Sequence, residues 1–375
     1  MTRPDPRVIE LARDRPLGRV VDGQRLLDAA VEHGLQGLLH RQVEQGRAVI
    51  DDRRVRAQLT AGALVRERES RARWAIASQL QCELDGLELP TAVLKGLAVE
   101  ARCYDRPGER PSADLDLWLD PTRLDRFAVA VATIDPDFGL LERVQGLVDA
   151  GDYQAAELQR DGVAVDLHAD AFKLGTGMRC GRRVFKRAVT VTGPDGTHVR
   201  ALAPEDALVH QVLHLNRDWF RSLLGHVDVA RLIERCEPDW DTVWELADRE
   251  GLTDVFTLGL RAVDEVVPLT VSVPPAPSSW RARVWQLAWS ERVRLSGTYE
   301  RQRYRYRQDL LALLARGRLV ETIRGRWRQR LFPPAAVVDD VYPGLRGPYL
   351  WRLTAGRVRA VGRRRESRSD ARGEQ

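Results

Sequence analysis

The sequence predicts an α+β fold in which a small mixed sheet is flanked by helical regions on both sides. Before residue 88 and after residue 203, apolar residues recur every three to four positions, as in amphipathic helices. Between these regions, short apolar runs alternate with polar residues and are bounded by glycine, proline and aspartate, as in strands. The patterns divide the chain into an N-terminal helical region (1–88), an α/β core (89–202), a C-terminal helical domain (203–335) and a C-terminal segment (336–375).

The N-terminal region is predicted to be helical from about residue 22 to residue 87. Leu26, Leu27 and Ala30 lie among charged neighbours at helical spacing, and residues 51–84 have the pattern of a single long amphipathic helix. We expect this region to serve as a cap or scaffold rather than as a functional site.

The core is predicted to alternate between strands and helices. Period-two runs at residues 90–94, 114–119 and 162–168 predict strands, and residues 96–104 and 121–134 are predicted helices between them. This order of elements favours a mixed sheet.

The C-terminal domain is predicted to follow a strand near residues 198–202. Pro204 and the two acidic residues after it favour the start of a helix, because proline and carboxylates suit the first helical turn. The helical pattern continues to about residue 330, with a proline-rich loop predicted at 266–279.

Charge is distributed unevenly along the chain. The net charge is +5, but residues 291–375 hold 21 arginines against 9 acidic residues, a net charge of +12, so residues 1–290 carry −7. Residues 324–330 and the arginine-rich tail form a basic end that is predicted to be a surface for RNA, anionic lipid or an acidic partner. The arginine-tyrosine run at 301–307 has a pattern that can stack on nucleic acid, but a solvated, partner-facing or acceptor-binding helix is the favoured interpretation. The tail from about residue 362 is predicted to be disordered.

The sequence also argues against several classes of protein. The longest apolar stretch, residues 127–134, is far shorter than the ~20 residues of a membrane-spanning helix. The first residues lack the apolar segment of a secretory signal, so we expect a cytoplasmic protein. The four cysteines include no C-x-x-C pair, which argues against both a zinc cluster and a disulfide framework.

Three aspartates on predicted strands carry the chemistry. Asp114 and Asp116 are two positions apart, so both side chains are predicted to project from one strand face. Asp166 lies on another apolar strand, and Gly96 lies at a strand-to-helix turn where backbone amides can approach a phosphate. Because clustered carboxylates repel one another unless a cation lies between them, the pattern predicts a site for Mg²⁺ or Mn²⁺ and phosphoryl or nucleotidyl transfer. The alternative interpretation is a solvated polar strand face.

Several motifs together resemble a known family. The segments LKGLAV (94–99), RPSADLDL (110–117) and VDLH (165–168) are similar to motifs of the uncharacterised nucleotidyltransferase family in the polymerase-β-like superfamily. The similarity extends through LAPED (202–206), LLGHVD (223–228) and LFPP (331–334), and covers roughly residues 89–355.

The resemblance implies a nucleotidyltransferase core with the following candidate residues. Metal binding and catalysis are expected at Asp114, Asp116 and Asp166, and nucleotide binding at Lys95, Gly96, Arg110 and Ser112. Candidate accessory residues are His168, His210, His214 and Asp228. The alternative for His210 and His214 is a structural role as partly buried side chains, and Asp228 could equally pair with a histidine or face solvent.

The activity implied by the resemblance is Mg²⁺- or Mn²⁺-dependent transfer of a nucleoside monophosphate from an NTP, with ATP expected. The acceptor would be a hydroxyl or phosphate on a small molecule, a peptide or a protein, and pyrophosphate would be released. One departure is Leu97, because related enzymes commonly carry serine after the turn glycine. It favours the alternative, a catalytically weak nucleotide-binding or interaction module whose basic C-terminus binds RNA or a partner protein.

Overall fold

A computed structural model describes residues 5–139, 141–149, 155–172, 181–217, 222–274 and 347–355. Within these residues the chain forms a six-stranded mixed sheet surrounded by helices, which confirms the predicted α+β fold class. The run at 301–307 and most of the basic end, including the tail from residue 362, lie outside the described residues.

Helices account for most of the described chain. The α-helices are α1 (Pro6–Ala12), α2 (Gly23–Glu32), α3 (Gln36–Glu44), α4 (Arg53–Gly86), α5 (Leu97–Cys103), α6 (Phe127–Ile134), α7 (Leu141–Asp149), α8 (Gly181–Lys186), α9 (Pro204–Arg217), α10 (Leu223–Cys236), α11 (Trp240–Arg249) and α12 (Thr253–Val266). Short 3-10 turns lie at Leu124–Arg126 and Pro194–Gly196. None of the described helices has both the length and the apolar character that a membrane span requires.

The strands form two sheets. The strands are β1 (Gly18–Val20), β2 (Ala48–Ile50), β3 (Thr91–Val93), β4 (Leu115–Leu119), β5 (Ala155–Arg160), β6 (Val163–His168), β7 (Val189–Thr192) and β8 (His198–Ala201). The first two pair in parallel, and the others form one sheet in the order β5-β6-β4-β3-β8-β7. In that sheet β4 runs parallel to β6 and β3 parallel to β8, whereas the remaining pairs are antiparallel.

The long helix and the three core strands were predicted correctly, but β5 is not evident from apolar alternation. Its sequence, AAELQR, has no β-branched or aromatic residue. It pairs with β6 through a two-residue turn at Asp161 and Gly162, whose φ angles are 49° and 78°. An Asp-Gly pair is a strong hairpin signal because both turn positions need positive φ.

The predicted helix at 121–134 also begins later than expected. The Asp120 carboxylate accepts a hydrogen bond from the Thr122 amide at 2.8 Å, and this turn leads into the 3-10 segment. The α-helix begins only at Phe127.

The two faces of the sheet carry two separate apolar cores. On β4, Leu115, Leu117 and Leu119 belong to a core that also includes residues of α4 and α6. The intervening Trp118 belongs to the other core, which includes residues of α9, α10 and α12. Because successive strand residues point to opposite faces, Asp116 lies on the Trp118 face, under the C-terminal helices.

A buried ion pair connects this helical layer to the loop before β4. Asp228 on α10 is fully buried, and its carboxylate accepts hydrogen bonds from Arg110 Nη2 at 2.8 Å and Nε at 3.0 Å. Tyr104 Oη, at 2.7 Å, and Gln211 Nε2, at 3.0 Å, donate to the same carboxylate. The interaction fixes the segment that leads into β4 against α9 and α10.

Replacing one member of this pair should be costly. We expect Arg110→Met to lower the free energy of unfolding by about 3–5 kcal/mol, because it leaves the Asp228 carboxylate buried without its cation. The matched control is Arg235→Met, which removes a more exposed pair with Asp105 at 2.7 Å and should cost under about 1 kcal/mol. Chemical denaturation of both variants measures the difference, and equal losses would contradict this account.

Candidate functional site

The centre of the candidate site is a buried carboxylate on β4. Asp116 is only 2% exposed. Its Oδ1 lies 2.9 Å from His168 Nε2, and its Oδ2 lies 3.2 Å from Lys95 Nζ. The interpretation of this segment as a solvated polar face is therefore wrong for Asp116.

The partners of Asp116 keep it ionised. Burial alone would raise the pKa of the Asp116 carboxyl, but the His168 hydrogen bond and the Lys95 charge outweigh burial and hold this pKa below its usual range. Asp116 is therefore an anion at neutral pH, able to hold a cation.

Strand register brings a second carboxylate to the same place. In the parallel β4–β6 pair, Asp116 lies opposite Asp166, and Trp118 lies opposite His168. One ligand atom from each of Asp116, Asp166 and His168 lies within 4.8 Å of the other two. Asp166 is half-buried, and the two residues of β6 share a face because they are two positions apart.

This group of side chains fits a divalent cation. Carboxylate oxygens suit Mg²⁺ and Mn²⁺, and hydrogen bonds to a ligating carboxylate orient it toward the ion. His168 supplies that hydrogen bond to Asp116. The group formed by Asp116, Asp166 and His168 is thus chemically suited to hold a divalent cation.

Asp114 lies differently from the expectation. The β4 ladder begins at Leu115, so Asp114 precedes the strand instead of lying on it, and its side chain is half-buried. Its main-chain oxygen accepts a hydrogen bond from Ser112 Oγ at 2.9 Å. Asp114 is not in the close group formed by Asp116, Asp166 and His168 among the described residues, and its role as a metal ligand stays a prediction.

The Gly96 turn packs directly against Ser112. Gly96 has φ +56°, and a Cβ atom at this position would lie 2.8 Å from Ser112 Oγ. The backbone conformation favours glycine, and a side chain at this position would also displace the Ser112 hydroxyl. The turn therefore places a side-chain hydroxyl beside Gly96, although the following residue is Leu97.

The remaining candidate residues lie on the helices that cover the sheet or in the loop before β4. His210 and His214 are on α9, Asp228 is on α10 and Arg110 is in the loop. Asp228 is fully buried and pairs with the Arg110 guanidinium, so the expectation that it pairs with a histidine or faces solvent is wrong. Phosphate contact by Arg110 stays a prediction. His210 is 5% exposed, and its Nε2 lies 3.0 Å from the Ala171 carbonyl oxygen. His214 is half-buried on α9, and an accessory role for it stays a prediction.

The sequence patterns missed two members of the site's surroundings. Phe172 contacts Trp118 of β4 edge-on at 6.5 Å between ring centroids and His210 of α9 at 5.7 Å. Gln211, next to His210, donates to Asp228. Neither carries a sequence signal, because both act through contacts between elements far apart in the chain.

His210 should make stability depend on pH. Burial lowers the pKa of its imidazole to about 3, and the nearby Lys95 charge acts in the same direction. Below about pH 6.5 the unfolded chain takes up a proton at His210 that the folded chain does not, so stability is retained above pH 6.5 and falls as the pH drops toward 3.

From pH 7.5 to pH 5 we expect His210 to account for a loss of about 2 kcal/mol in the free energy of unfolding. His210→Gln should lack this part of the loss, whereas the exposed His198→Gln should keep it. Denaturation curves at both pH values measure it, and the same loss in the wild type and in His210→Gln would contradict the assignment.

Comparisons with known proteins agree with the motifs. The family model described as "Uncharacterised nucleotidyltransferase" matches residues 20–268. The chain is also similar to a solved structure, an antigenic nucleotidyltransferase-like protein from Paracoccidioides brasiliensis, at 18% identity and a TM-score of 0.31, over 49% of this chain and 91% of that one. No curated protein matches the chain. Because the family model covers more than half of the sequence, including every segment of the candidate site, the chain belongs to the uncharacterised nucleotidyltransferase family.

Proposed function

We propose that the protein transfers a nucleoside monophosphate from an NTP, with ATP as the first candidate, to an acceptor hydroxyl or phosphate. The observation that carries the proposal is the β4–β6 register, which sets Asp116 opposite Asp166 next to His168. Family membership supports the reaction class, and the carboxylate pair supports dependence on Mg²⁺ or Mn²⁺.

In this proposal the carboxylates bind the metal ion, and the metal ion acts on the phosphates of the nucleotide. Asp116 and Asp166, joined by Asp114 from the start of the strand, would bind the cation, and His168 would keep Asp116 oriented. A bound divalent cation would polarise the α-phosphate and stabilise the pyrophosphate leaving group. The protein contributes mainly positioning and electrostatics, as is usual for phosphoryl transfer.

The transfer step forms one P–O bond and breaks another. The acceptor oxygen attacks the α-phosphorus, and the bond from that phosphorus to the oxygen bridging to the β-phosphorus breaks. Pyrophosphate leaves with the bonding electron pair. When the acceptor is a hydroxyl, its proton would pass to the half-buried Asp166 carboxylate.

Lys95, Gly96 and Ser112 would bind the phosphates of the NTP. The glycine leaves the backbone open to a close approach, and the lysine supplies a flexible positive charge. Ser112 Oγ would supply the hydroxyl that Leu97 cannot, because it lies against the Gly96 turn. Arg110, if it contacts phosphate, would have to share its guanidinium with Asp228.

The acceptor is proposed only as a class: a small molecule, a peptide or a protein. Binding of RNA or of a partner protein by the basic C-terminus, and a cytoplasmic location, remain predictions. If no transfer is found, the alternative function is a catalytically weak nucleotide-binding or interaction module.

Transfer of label from α-labelled ATP tests the function. We expect Mg²⁺-dependent incorporation of the α label, but not of a γ label, into candidate acceptors or into the protein itself. Asp116→Asn and Asp166→Asn should each reduce the rate at least about 100-fold, because each removes a carboxylate from the metal site.

The matched control is Asp161→Asn, in the exposed turn between β5 and β6, which should keep wild-type activity. Transfer of the γ label in place of the α label, or full activity in Asp116→Asn, would overturn the proposed reaction.

A further inference from the structure

Both oxygens of the Asp116 carboxylate already have cationic or hydrogen-bonding partners. Oδ1 lies 2.9 Å from His168 Nε2, and Oδ2 lies 3.2 Å from Lys95 Nζ. The Asp116 side chain is 1% exposed, so water does not replace a lost partner. Lys95 therefore neutralises a carboxylate that would otherwise be a buried, uncompensated charge.

A divalent cation on Asp116 would compete for Oδ2, because Oδ1 already accepts the His168 hydrogen bond. Mg²⁺ lies about 2.0–2.1 Å from its oxygen ligands, so an ion on Asp116 Oδ2 would lie within about 5 Å of the Lys95 ammonium group in its present position. The two positive groups would then repel each other in a poorly hydrated site. An ion held between Asp116 and Asp166 thus competes with Lys95 for Asp116.

Lys95 is less enclosed than Asp116. Its side chain is 19% exposed, in contrast to that of Asp116, and its four-carbon stem is flexible. It immediately precedes Gly96 in the chain, and the Ser112 hydroxyl lies against the turn at Gly96. A triphosphate bound there would offer the ammonium group new anionic partners.

We propose that Lys95 is the resident counter-cation of Asp116, and that it transfers to the NTP phosphates when a divalent cation takes its place on the carboxylate. This exchange rests on the proposed function, and it adds that metal binding and NTP binding depend on each other through Lys95. The divalent cation alone binds weakly, because it must displace Lys95. The NTP strengthens metal binding by drawing Lys95 away, and by linkage the metal strengthens NTP binding by the same factor.

Mn²⁺ binding to the full-length protein, followed by electron paramagnetic resonance, tests this exchange. The titration is done alone and with α,β-methylene ATP, whose α–β bridge resists cleavage, with correction for Mn²⁺ bound to the free analogue. In the wild type the analogue should strengthen Mn²⁺ binding. Lys95→Met should bind Mn²⁺ alone at least about tenfold more tightly than the wild type, because the competing charge is gone, and should lose most of the strengthening.

Two variants are matched controls. Lys95→Arg keeps the positive charge and should bind Mn²⁺ alone as weakly as the wild type. Lys186→Met removes an exposed lysine at the end of α8 and should change neither measurement. Equal or weaker Mn²⁺ binding by Lys95→Met overturns the exchange, and so does the absence of Mn²⁺ binding in every variant.

A second measurement uses the wild-type fold and needs no destabilising substitution. The chain contains only three lysines, so reductive ¹³C-methylation labels these three side chains and the N-terminal amine, and Lys→Arg variants assign the lysine signals. Adding Mg²⁺ with the analogue should shift the Lys95 signal and leave that of Lys186 unchanged, whereas an unmoved Lys95 signal overturns the exchange.

Failure of the exchange and failure of the proposed function give different results. Equal Mn²⁺ affinities in the wild type and Lys95→Met, together with transfer of the α label, reject the exchange and leave the function intact. Tighter binding by Lys95→Met without any label transfer supports the exchange and rejects the function.

Discussion

The burial of Asp116 is the constraint on which the candidate site depends. An isolated carboxylate would be strongly destabilising at this depth, yet the pKa of this one lies below its usual range. Two partners stabilise the ionised carboxylate. His168 of β6 donates a hydrogen bond to it, and Lys95 supplies a positive charge. The fold thus maintains an anion inside the protein at a place where the sheet also brings a second carboxylate, Asp166.

A second buried anion holds the surroundings of the site in place. The Asp228 carboxylate on α10 accepts hydrogen bonds from four donor atoms. Two belong to the Arg110 guanidinium and one to Tyr104, both in the segment before β4, and the fourth is Gln211 Nε2 of α9. The strand face that carries Asp116 is therefore covered by helices that are tied to the same segment. Ser112, whose hydroxyl lies against the Gly96 turn, lies along the chain between Arg110 and Asp116.

The sequence predicted those features that depend on local periodicity. The alternation of aspartate and leucine correctly predicts that Asp116 and Leu117 face opposite sides of the sheet, and the VDLH segment correctly predicts that Asp166 and His168 share a face. Helix α4 also lies close to its predicted bounds, because its amphipathic pattern is long.

Features set by distant partners were not predictable in this way. Asp114 falls outside β4 because the ladder with β6 begins one residue later, and the extent of a ladder depends on its partner strand. Arg110 resembles a phosphate ligand in sequence, but its pairing with Asp228 joins residues 118 positions apart. Strand β5 had a usable signal in its Asp-Gly turn, although its residues have little strand propensity.

The proposed function depends on a divalent cation held by Asp116 and Asp166 together. The most direct test is anomalous X-ray scattering at the manganese edge from crystals grown with Mn²⁺ and α,β-methylene ATP. We expect an anomalous peak within coordination distance, about 2.0–2.3 Å, of carboxylate oxygens from both aspartates and beside the α-phosphate. Bound nucleotide with no manganese at these two carboxylates would contradict this expectation.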